Sequence, residues 1–207
     1  MSSKKYFEDV AHQWDEMRKE FFPDNVRDVA FSKANIQRGK IAADIGAGTG
    51  FITEALIHKG LKVIAVDQSA EMIEVMKNKF KDTEQVDYRI GESENLPLED
   101  ESIDYVFSNM YLHHVESPPE AIKEMVRVLK KGGKLIITDL DEHNFEFLKT
   151  EQQDRWMGFD REDIKRWFIE AGLTSVQVDC VGENCCTTST RGGERASISI
   201  FIASGEK

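Results

Sequence analysis

The segment 42–50, with the sequence Ala-Ala-Asp-Ile-Gly-Ala-Gly-Thr-Gly, constrains the fold of this chain more than any other part. It joins a predicted buried strand to a predicted helix. Because glycine has no Cβ, Gly46, Gly48 and Gly50 can adopt positive φ and let the backbone approach a ligand, and the helix start offers unpaired N–H groups. A dinucleotide motif would place its third glycine where this chain has Phe51, which disfavours pyrophosphate binding. The segment therefore predicts a loop that binds a nucleoside cofactor.

Two acidic residues stand where the carboxyl ends of neighbouring strands are expected. Asp44 precedes the first glycine, and its carboxylate could attract a cationic amino group. Asp67 ends the next predicted strand and follows Gly46 by twenty-one residues, close to the ~20-residue offset at which an acid reaches a ribose hydroxyl in such units. A free ribose diol with an amino-acid group and no pyrophosphate describes S-adenosylmethionine.

Four further segments carry a recognisable pattern. They are Val63–Ser69 with Met72, Gly91–Pro97, Ile103–His114 and Leu129–Asp139. Together with the glycine loop, they resemble the class I S-adenosylmethionine-dependent methyltransferases, in the small-molecule branch typified by ubiquinone and menaquinone biosynthesis methyltransferases. The resemblance covers most of the chain and implies that S-adenosylmethionine is the cofactor and a small molecule the methyl acceptor.

The resemblance also implies a set of cofactor-binding residues along the strand ends. In chain order they are Asp44, Gly46, Gly48, Gly50, Asp67, Gln68, Met72, Glu92, Ser93 and Asn109. In such enzymes Asp44 and Gly46 would hold the methionine end, with further contacts from the region of Asn109, and Asp67 would hold the ribose. Gln68 and Met72 would flank the adenine, and the pair at 92–93 would meet its edge. The family more often has Asp where this chain has Glu92.

Composition favours one globular domain. The 207 residues are 40% hydrophobic and 31% charged, which is ordinary for a packed domain. A net charge of −11 without a long Lys/Arg block repels nucleic acid and anionic membranes. The first residues lack the apolar stretch of a signal peptide, and no run approaches ~18 apolar residues. We expect a cytoplasmic protein with a small-molecule substrate and neither a nucleic-acid nor a membrane partner, as a monomer or a homodimer.

Strands alternate with helices along most of the chain. The last third departs from this rhythm, because a helix at 161–171 is followed by strands at 174–178 and 196–203 that we expect to pair antiparallel. The pattern predicts an α/β fold with a Rossmann-like seven-stranded sheet, mostly parallel with an antiparallel last strand, and helices on both faces. The expected single methyltransferase domain, 1–207, has three parts: an N-terminal helical lid at 1–38, a cofactor-binding core at 39–140, and a C-terminal helix and hairpin at 141–207.

Two local details accompany this prediction. Apolar residues at helical spacing from Phe7 through Trp14 to Phe21 predict one amphipathic helix. Ser117 followed by proline opens a helix that the glycines at 132–133 are expected to end.

Methyl transfer requires little covalent chemistry from the protein, since the sulfonium is already an activated donor. Asp44 and Asp67 are therefore predicted to bind rather than to catalyse. If the acceptor must lose a proton, the topology offers four candidates: His113, His114, Asp139 and His143. A structural or cofactor-cleft role for the two adjacent histidines is the alternative, so the catalytic residues stay open.

The three cysteines, Cys180, Cys185 and Cys186, cluster between the last two predicted strands, in an expected loop. Soft-metal or arsenite binding, redox sensing and chance all fit this cluster. Because no histidine lies among them and no C-x-x-C occurs, a structural zinc site is not expected. The cysteines leave open a thiol or arsenite methyltransferase. Two further alternatives, a non-catalytic S-adenosylmethionine sensor and a nicotinamide-dependent reductase, also stay open for the chain as a whole.

Overall fold

Seven strands form one sheet in the computed structural model, which describes residues 3–207. The strands are β1 (Ile41–Ile45), β2 (Lys62–Asp67), β3 (Val86–Ile90), β4 (Ile103–Asn109), β5 (Leu129–Leu140), β6 (Thr174–Thr188) and β7 (Arg195–Glu206). Their order across the sheet is β3-β2-β1-β4-β5-β7-β6. The first five strands are parallel, and β7 is antiparallel to both β5 and β6. The predicted Rossmann-like sheet with an antiparallel last strand is confirmed.

Helices cover the sheet and its carboxyl edge. They are α1 (Ser3–Val10), α2 (Trp14–Phe21), α3 (Asn25–Ala34), α4 (Phe51–His58), α5 (Ala70–Lys79), α6 (Pro118–Val128), α7 (Phe147–Glu151) and α8 (Arg161–Glu170). Short 3-10 turns occupy 11–13 and 112–114. Within residues 3–207, no helix has the length and apolar character needed to cross a bilayer.

The core lies on both faces of the sheet, as a parallel sheet requires. On β1 the neighbours Ala42 and Ala43 are both fully buried and belong to different apolar clusters, one on each face. The cluster with Ala42 contains residues of α3 and α4, whereas the cluster with Ala43 contains residues of α6 and α8. Since β1 is central and buried on both sides, the glycine loop that follows it starts from a rigid support.

Three local expectations are corrected. The predicted N-terminal helix is broken at 11–13, where a tighter 3-10 turn lets the Phe7 and Trp14 rings meet edge to face at 5.1 Å. Helix α6 ends at Val128, before the glycines at 132–133, because Leu129 already pairs with Ile103 in the sheet.

The third correction concerns the cysteines. All three lie in strand β6, which continues to Thr188, and not in a loop. Cys180 pairs with Phe201, Cys185 with Ile198 and Cys186 with Ser197 of β7. The pairing of β6 with β7 continues past a register shift between Cys180 and Asn184. The hairpin is therefore longer than the alternation of apolar residues in the sequence predicts.

The segment after β5 is folded back by a half-buried ion pair. Arg161 donates two hydrogen bonds to the Asp141 carboxylate, at 2.7 and 2.6 Å. The Phe159 N–H donates to the Leu140 carbonyl at 3.0 Å, and the His143 N–H to the Met157 carbonyl at 3.0 Å. These contacts bring the chain around 154 next to the turn that follows β4.

We predict that Gly158→Ala is more destabilising than Gly132→Ala. Both glycines have positive φ, +69° and +76°, so both variants carry the same backbone strain. An added Cβ at 158 would lie 2.1 Å from the Asp141 carbonyl oxygen, whereas nothing lies within 4 Å at 132. Urea unfolding should show an extra loss of about 1–3 kcal/mol for Gly158→Ala, the usual range for overpacking. Equal losses would contradict the close contact of this turn with Asp141.

Candidate functional site

The glycine loop is fastened to the end of the neighbouring strand. Gly46, Gly48 and Gly50 have φ values of 70°, 54° and 91°, which confirms the predicted left-handed backbone. The N–H groups of Gly46 and Ala47 both donate to the Val66 carbonyl, at 2.9 and 3.1 Å. The loop therefore has a fixed position relative to the carboxyl ends of β1 and β2.

Asp67, at the end of β2, closes this connection. Its carboxylate accepts a hydrogen bond from the Gly48 N–H at 2.8 Å and another from the Ser69 N–H at 2.9 Å. Burial raises the pKa of Asp67, and the backbone hydrogen bonds from Ser69 and Gly48 oppose that rise. The side chain is therefore oriented by the same loop that it holds.

Asp44, at the end of β1, is buried beside the start of α4. Its Oδ2 accepts hydrogen bonds from the backbone N–H and the hydroxyl of Thr53, at 2.9 and 2.7 Å. Burial raises the pKa of Asp44 to about 7, although both Thr53 hydrogen bonds lower it. Near neutral pH the carboxyl is therefore only partly ionised, and a cation bound nearby would favour its charged form.

A cavity opens above these acids. Phe7 and Trp14, from α1 and α2, cover it. Arg18 also faces it, with its guanidinium 4.1 Å from the Phe51 ring centroid and one nitrogen 2.8 Å from Asp24 Oδ1. Seven of the predicted cofactor-binding residues line this cavity: Asp44, Gly46, Gly48, Asp67, Gln68, Met72 and Asn109.

The remaining predicted cofactor residues lie elsewhere. Glu92 is exposed and lines an adjoining groove that also contains Gln68. Ser93 is buried and its hydroxyl donates to Glu94 at 2.9 Å. A Cβ on Gly50 would lie 2.5 Å from the Phe80 ring, so this glycine is needed for packing against α5.

Tyr111 forms the wall between the cavity and the groove, and both contain it. A Cβ on Gly46 would lie 2.1 Å from the Tyr111 ring, so glycine is required at 46 by close ring contact as well as by its φ. The preceding residue, Met110, has a left-handed φ of 52°, which turns the chain sharply after β4. Burial raises the pKa of Tyr111, against a hydrogen bond with Ser93.

A second cavity adjoins the first under the same aromatic cover. Phe7, Trp14, Phe22, Met110 and His114 line both. The second cavity is otherwise lined by three polar groups, by a cysteine and by further apolar side chains: His113, Gln152, Asp154, Cys185, Tyr6, Phe21, Leu140 and Leu148. A ligand in either cavity would therefore lie within reach of the other.

The four predicted proton-transfer candidates have different surroundings. His113 Nδ1 lies 2.6 Å from Asp139 Oδ1. Burial alone lowers the pKa of His113, but the charges of Asp139 and Asp154 raise it to about 9. Burial, reinforced by the His113 charge, lowers the pKa of His114 well below its usual value. His143 is outside both cavities and accepts a hydrogen bond from the Phe145 N–H at 3.3 Å.

The cysteines are dispersed along β6 rather than gathered into one site. Cys185 is buried and lines the second cavity, Cys186 is half-buried, and Cys180 is exposed. Burial raises the pKa of Cys185 to about 12, so its thiol is protonated near neutral pH. All three are free thiols.

Sequence reasoning missed three residues that the structure places at these cavities: Arg18, Tyr111 and Asp154. Arg18 follows Trp14 by one helical turn, and that spacing within the predicted N-terminal lid was the available signal. Tyr111 lies within a segment that carries the family resemblance. Asp154 gave no local signal, because only the folded-back segment brings it to the cavity.

The fold is an α/β sheet with a glycine loop and two acidic residues at its strand ends, an arrangement typical of enzymes that use a nucleoside cofactor. A family model described as a methyltransferase domain matches residues 43–137. A demethylmenaquinone methyltransferase of Staphylococcus saprophyticus is 31% identical over 174 residues, covering 70% of this chain and 74% of that protein. This chain belongs to the S-adenosylmethionine-dependent methyltransferases.

Solved structures agree in fold. A chain from the complex between the Trm112 methyltransferase activator and a methyltransferase of Haloferax volcanii has a TM-score of 0.79, 18% identity, and coverage of 99% of this chain and 97% of that one. A phosphoethanolamine N-methyltransferase of Haemonchus contortus, in complex with phosphomonomethylethanolamine and S-adenosylhomocysteine, has a TM-score of 0.73, 18% identity, and coverage of 89% and 52%.

Some relatives are much longer than the matched region. The matches to two further curated proteins span 27% and 44% of their lengths. The activity and substrate of these longer proteins can therefore be assigned to this chain only as a proposal.

We predict that Asp44→Asn stabilises the ligand-free protein more at higher pH. The pKa of about 7 lies above the unfolded value of about 3.9. This carboxyl therefore contributes stability below the unfolded pKa, and the contribution is lost as pH rises through the folded pKa. Between about pH 5 and about pH 8, the variant should gain about 2 kcal/mol over wild type in urea unfolding. The exposed-strand variant Asp87→Asn is the control, and an Asp44→Asn difference that does not change with pH would contradict this account.

Proposed function

We propose that this chain transfers a methyl group from S-adenosylmethionine to a small-molecule acceptor held in the second cavity. One observation carries the proposal: two buried carboxylates, Asp44 and Asp67, end adjacent strands on either side of a three-glycine loop and face one cavity. When bound, S-adenosylmethionine supplies a methyl group that is activated by the positive sulfur.

The residues of the first cavity fit the parts of this cofactor. Asp44 has one oxygen engaged by Thr53, and its carboxylate matches a cationic amino group. Arg18 is buried at the same cavity and matches the amino-acid carboxylate, a geometry that guanidinium recognises well. Asp67 matches the ribose diol, and Gly48 allows the close approach of its backbone.

The second cavity fits an apolar or aromatic acceptor with a polar end. Rings of Tyr6, Phe7 and Phe21 line it, and Asp154 and Gln152 are polar groups at its wall. We propose that α1 and α2 act as the lid over both ligands, since the Thr49 hydroxyl donates to Asp15 of α2 at 2.6 Å. Positioning and exclusion of water would then supply the catalysis, up to about 7–11 kcal/mol for a well-oriented pair.

We expect S-adenosylhomocysteine to bind with saturation in isothermal titration calorimetry, and Asp67→Asn to weaken that binding about 10- to 100-fold, the cost of losing a charged hydrogen bond. Asp87→Asn on exposed β3 removes the same charge elsewhere and should leave affinity unchanged. NAD titrated in parallel should give no saturable heat. Binding of NAD without binding of S-adenosylhomocysteine would overturn the proposal, and cofactor binding without turnover of any acceptor would favour a sensor.

The pH dependence of cofactor binding tests the role of Asp44 separately. Because the bound amino group favours the ionised carboxylate, affinity should fall as pH drops below the folded pKa of about 7. From about pH 8 to about pH 6 we expect about a 10-fold loss in S-adenosylhomocysteine affinity for wild type. Asp44→Asn should bind weakly at both pH values. The same 10-fold dependence in that variant would assign the titration to another group.

A further inference from the structure

Three side chains with metal-ligating atoms meet at the second cavity. His113 Nε2 and His114 Nδ1 each lie 3.9 Å from Asp154 Oδ1. The three ligand atoms all lie within 4.8 Å of one another, and all three residues are buried. Imidazole and carboxylate groups gathered so closely away from solvent have the chemistry of a transition-metal ligand set.

Two of these atoms have no hydrogen-bond partner. His114 Nδ1 and Asp154 Oδ1 are both shielded from solvent and unpaired. A buried polar atom without a partner costs about 1–3 kcal/mol, and more when it is charged. Both atoms point toward the same small volume, because each takes part in the 3.9 Å contact. One cation between them would satisfy both.

The third ligand, His113, is oriented by a carboxylate that contacts its other ring nitrogen. Asp139 Oδ1 accepts a hydrogen bond from His113 Nδ1 at 2.6 Å, so His113 Nε2 faces Asp154. Asp139 is itself fixed by the N–H groups of Leu112 and Leu140, at 2.7 Å each. A carboxylate that holds the far nitrogen of a histidine is the usual support of a metal-bound imidazole.

Asp154 is held in place by the backbone on either side of it. Gln153 has a left-handed φ of 63°. The N–H groups of Arg155 and Trp156 both donate to the His113 carbonyl at 3.0 Å. The carboxylate and the two imidazoles therefore come from segments far apart in sequence but locked together in space.

We propose that His113, His114 and Asp154 bind one divalent transition-metal ion of the zinc type. Two imidazoles with one carboxylate suit zinc, iron or cobalt better than magnesium or calcium. Two bonds of about 2.1 Å span at most about 4.2 Å, so an ion bridges the 3.9 Å pairs, and small side-chain rotations bring the two imidazoles in. The carboxylates of Asp139 and Asp154 balance its charge.

Three protein ligands leave coordination positions for other molecules, as in catalytic metal sites. These positions would face the second cavity, because all three ligands line it. The metal would therefore lie where the proposed acceptor binds. The inference stands on these side chains alone and does not depend on methyl transfer.

The test is a titration of chelator-treated protein with Co²⁺, followed by displacement with Zn²⁺. Wild type should bind one equivalent, with visible absorption bands of protein-bound cobalt that Zn²⁺ removes. Asp154→Asn and His114→Gln should abolish stoichiometric binding. Asp139→Asn, which removes only the supporting carboxylate, should weaken binding about 10- to 100-fold. His58→Gln removes an exposed histidine at the end of α4 and should leave binding unchanged.

Thermal melting and S-adenosylhomocysteine titration on the same samples report folding and cofactor binding independently. A folded wild type that binds no stoichiometric Co²⁺ or Zn²⁺ would overturn the metal site and leave the proposed methyl transfer intact. Metal binding that survives both Asp154→Asn and His114→Gln would overturn the assignment as well. Loss of metal binding in these variants, with an unchanged melting temperature, would support it.

Discussion

The attachment of the glycine loop to strand β2 is the interaction on which the site depends. Val66 receives two N–H groups of the loop, and Asp67 receives a third from Gly48. Because β1 and β2 are parallel neighbours, this connection fixes the distance between the two strand-end acids before any ligand arrives. The aromatic cover and the Tyr111 wall are then arranged around a loop that has little freedom to move. The position of the first cavity is thus a consequence of strand order.

A second connection of comparable importance joins the C-terminal third to the turn after β4. Asp141 holds Arg161, and the backbone at 155–156 binds the carbonyl of His113. These contacts convert an irregular segment into the wall of the second cavity. This segment supplies Gln152 and Asp154 to the second cavity, where they lie beside His113 and His114 of the turn after β4.

Much of the fold could be predicted from the sequence because its signals are local. Positive-φ glycines, buried apolar runs and a proline-initiated helix identified the loop, the strand rhythm and the antiparallel final strand. Other features depend on distant pairing. Leu129 joins the sheet opposite Ile103, which overrides the glycines that favour a later helix end. Asp154 reaches His114 only through the folded-back segment, and buried Arg18 breaks the expectation that arginine is exposed. None of these has a periodic signature.

Buried acidic residues surround the two cavities and would favour a ligand that carries positive charge. Asp44, Asp67, Asp139 and Asp154 are all buried around them, and burial raises the pKa of Asp44 to about 7 and that of Asp154 to about 6. Holding acids in this state costs stability, which is typical of functional sites. A ligand with positive charge recovers that cost on binding and stabilises the fold by linkage. A bound pyrophosphate would increase this cost in stability. Electrostatics and Phe51 at the third glycine position therefore disfavour the same class of ligand for independent reasons.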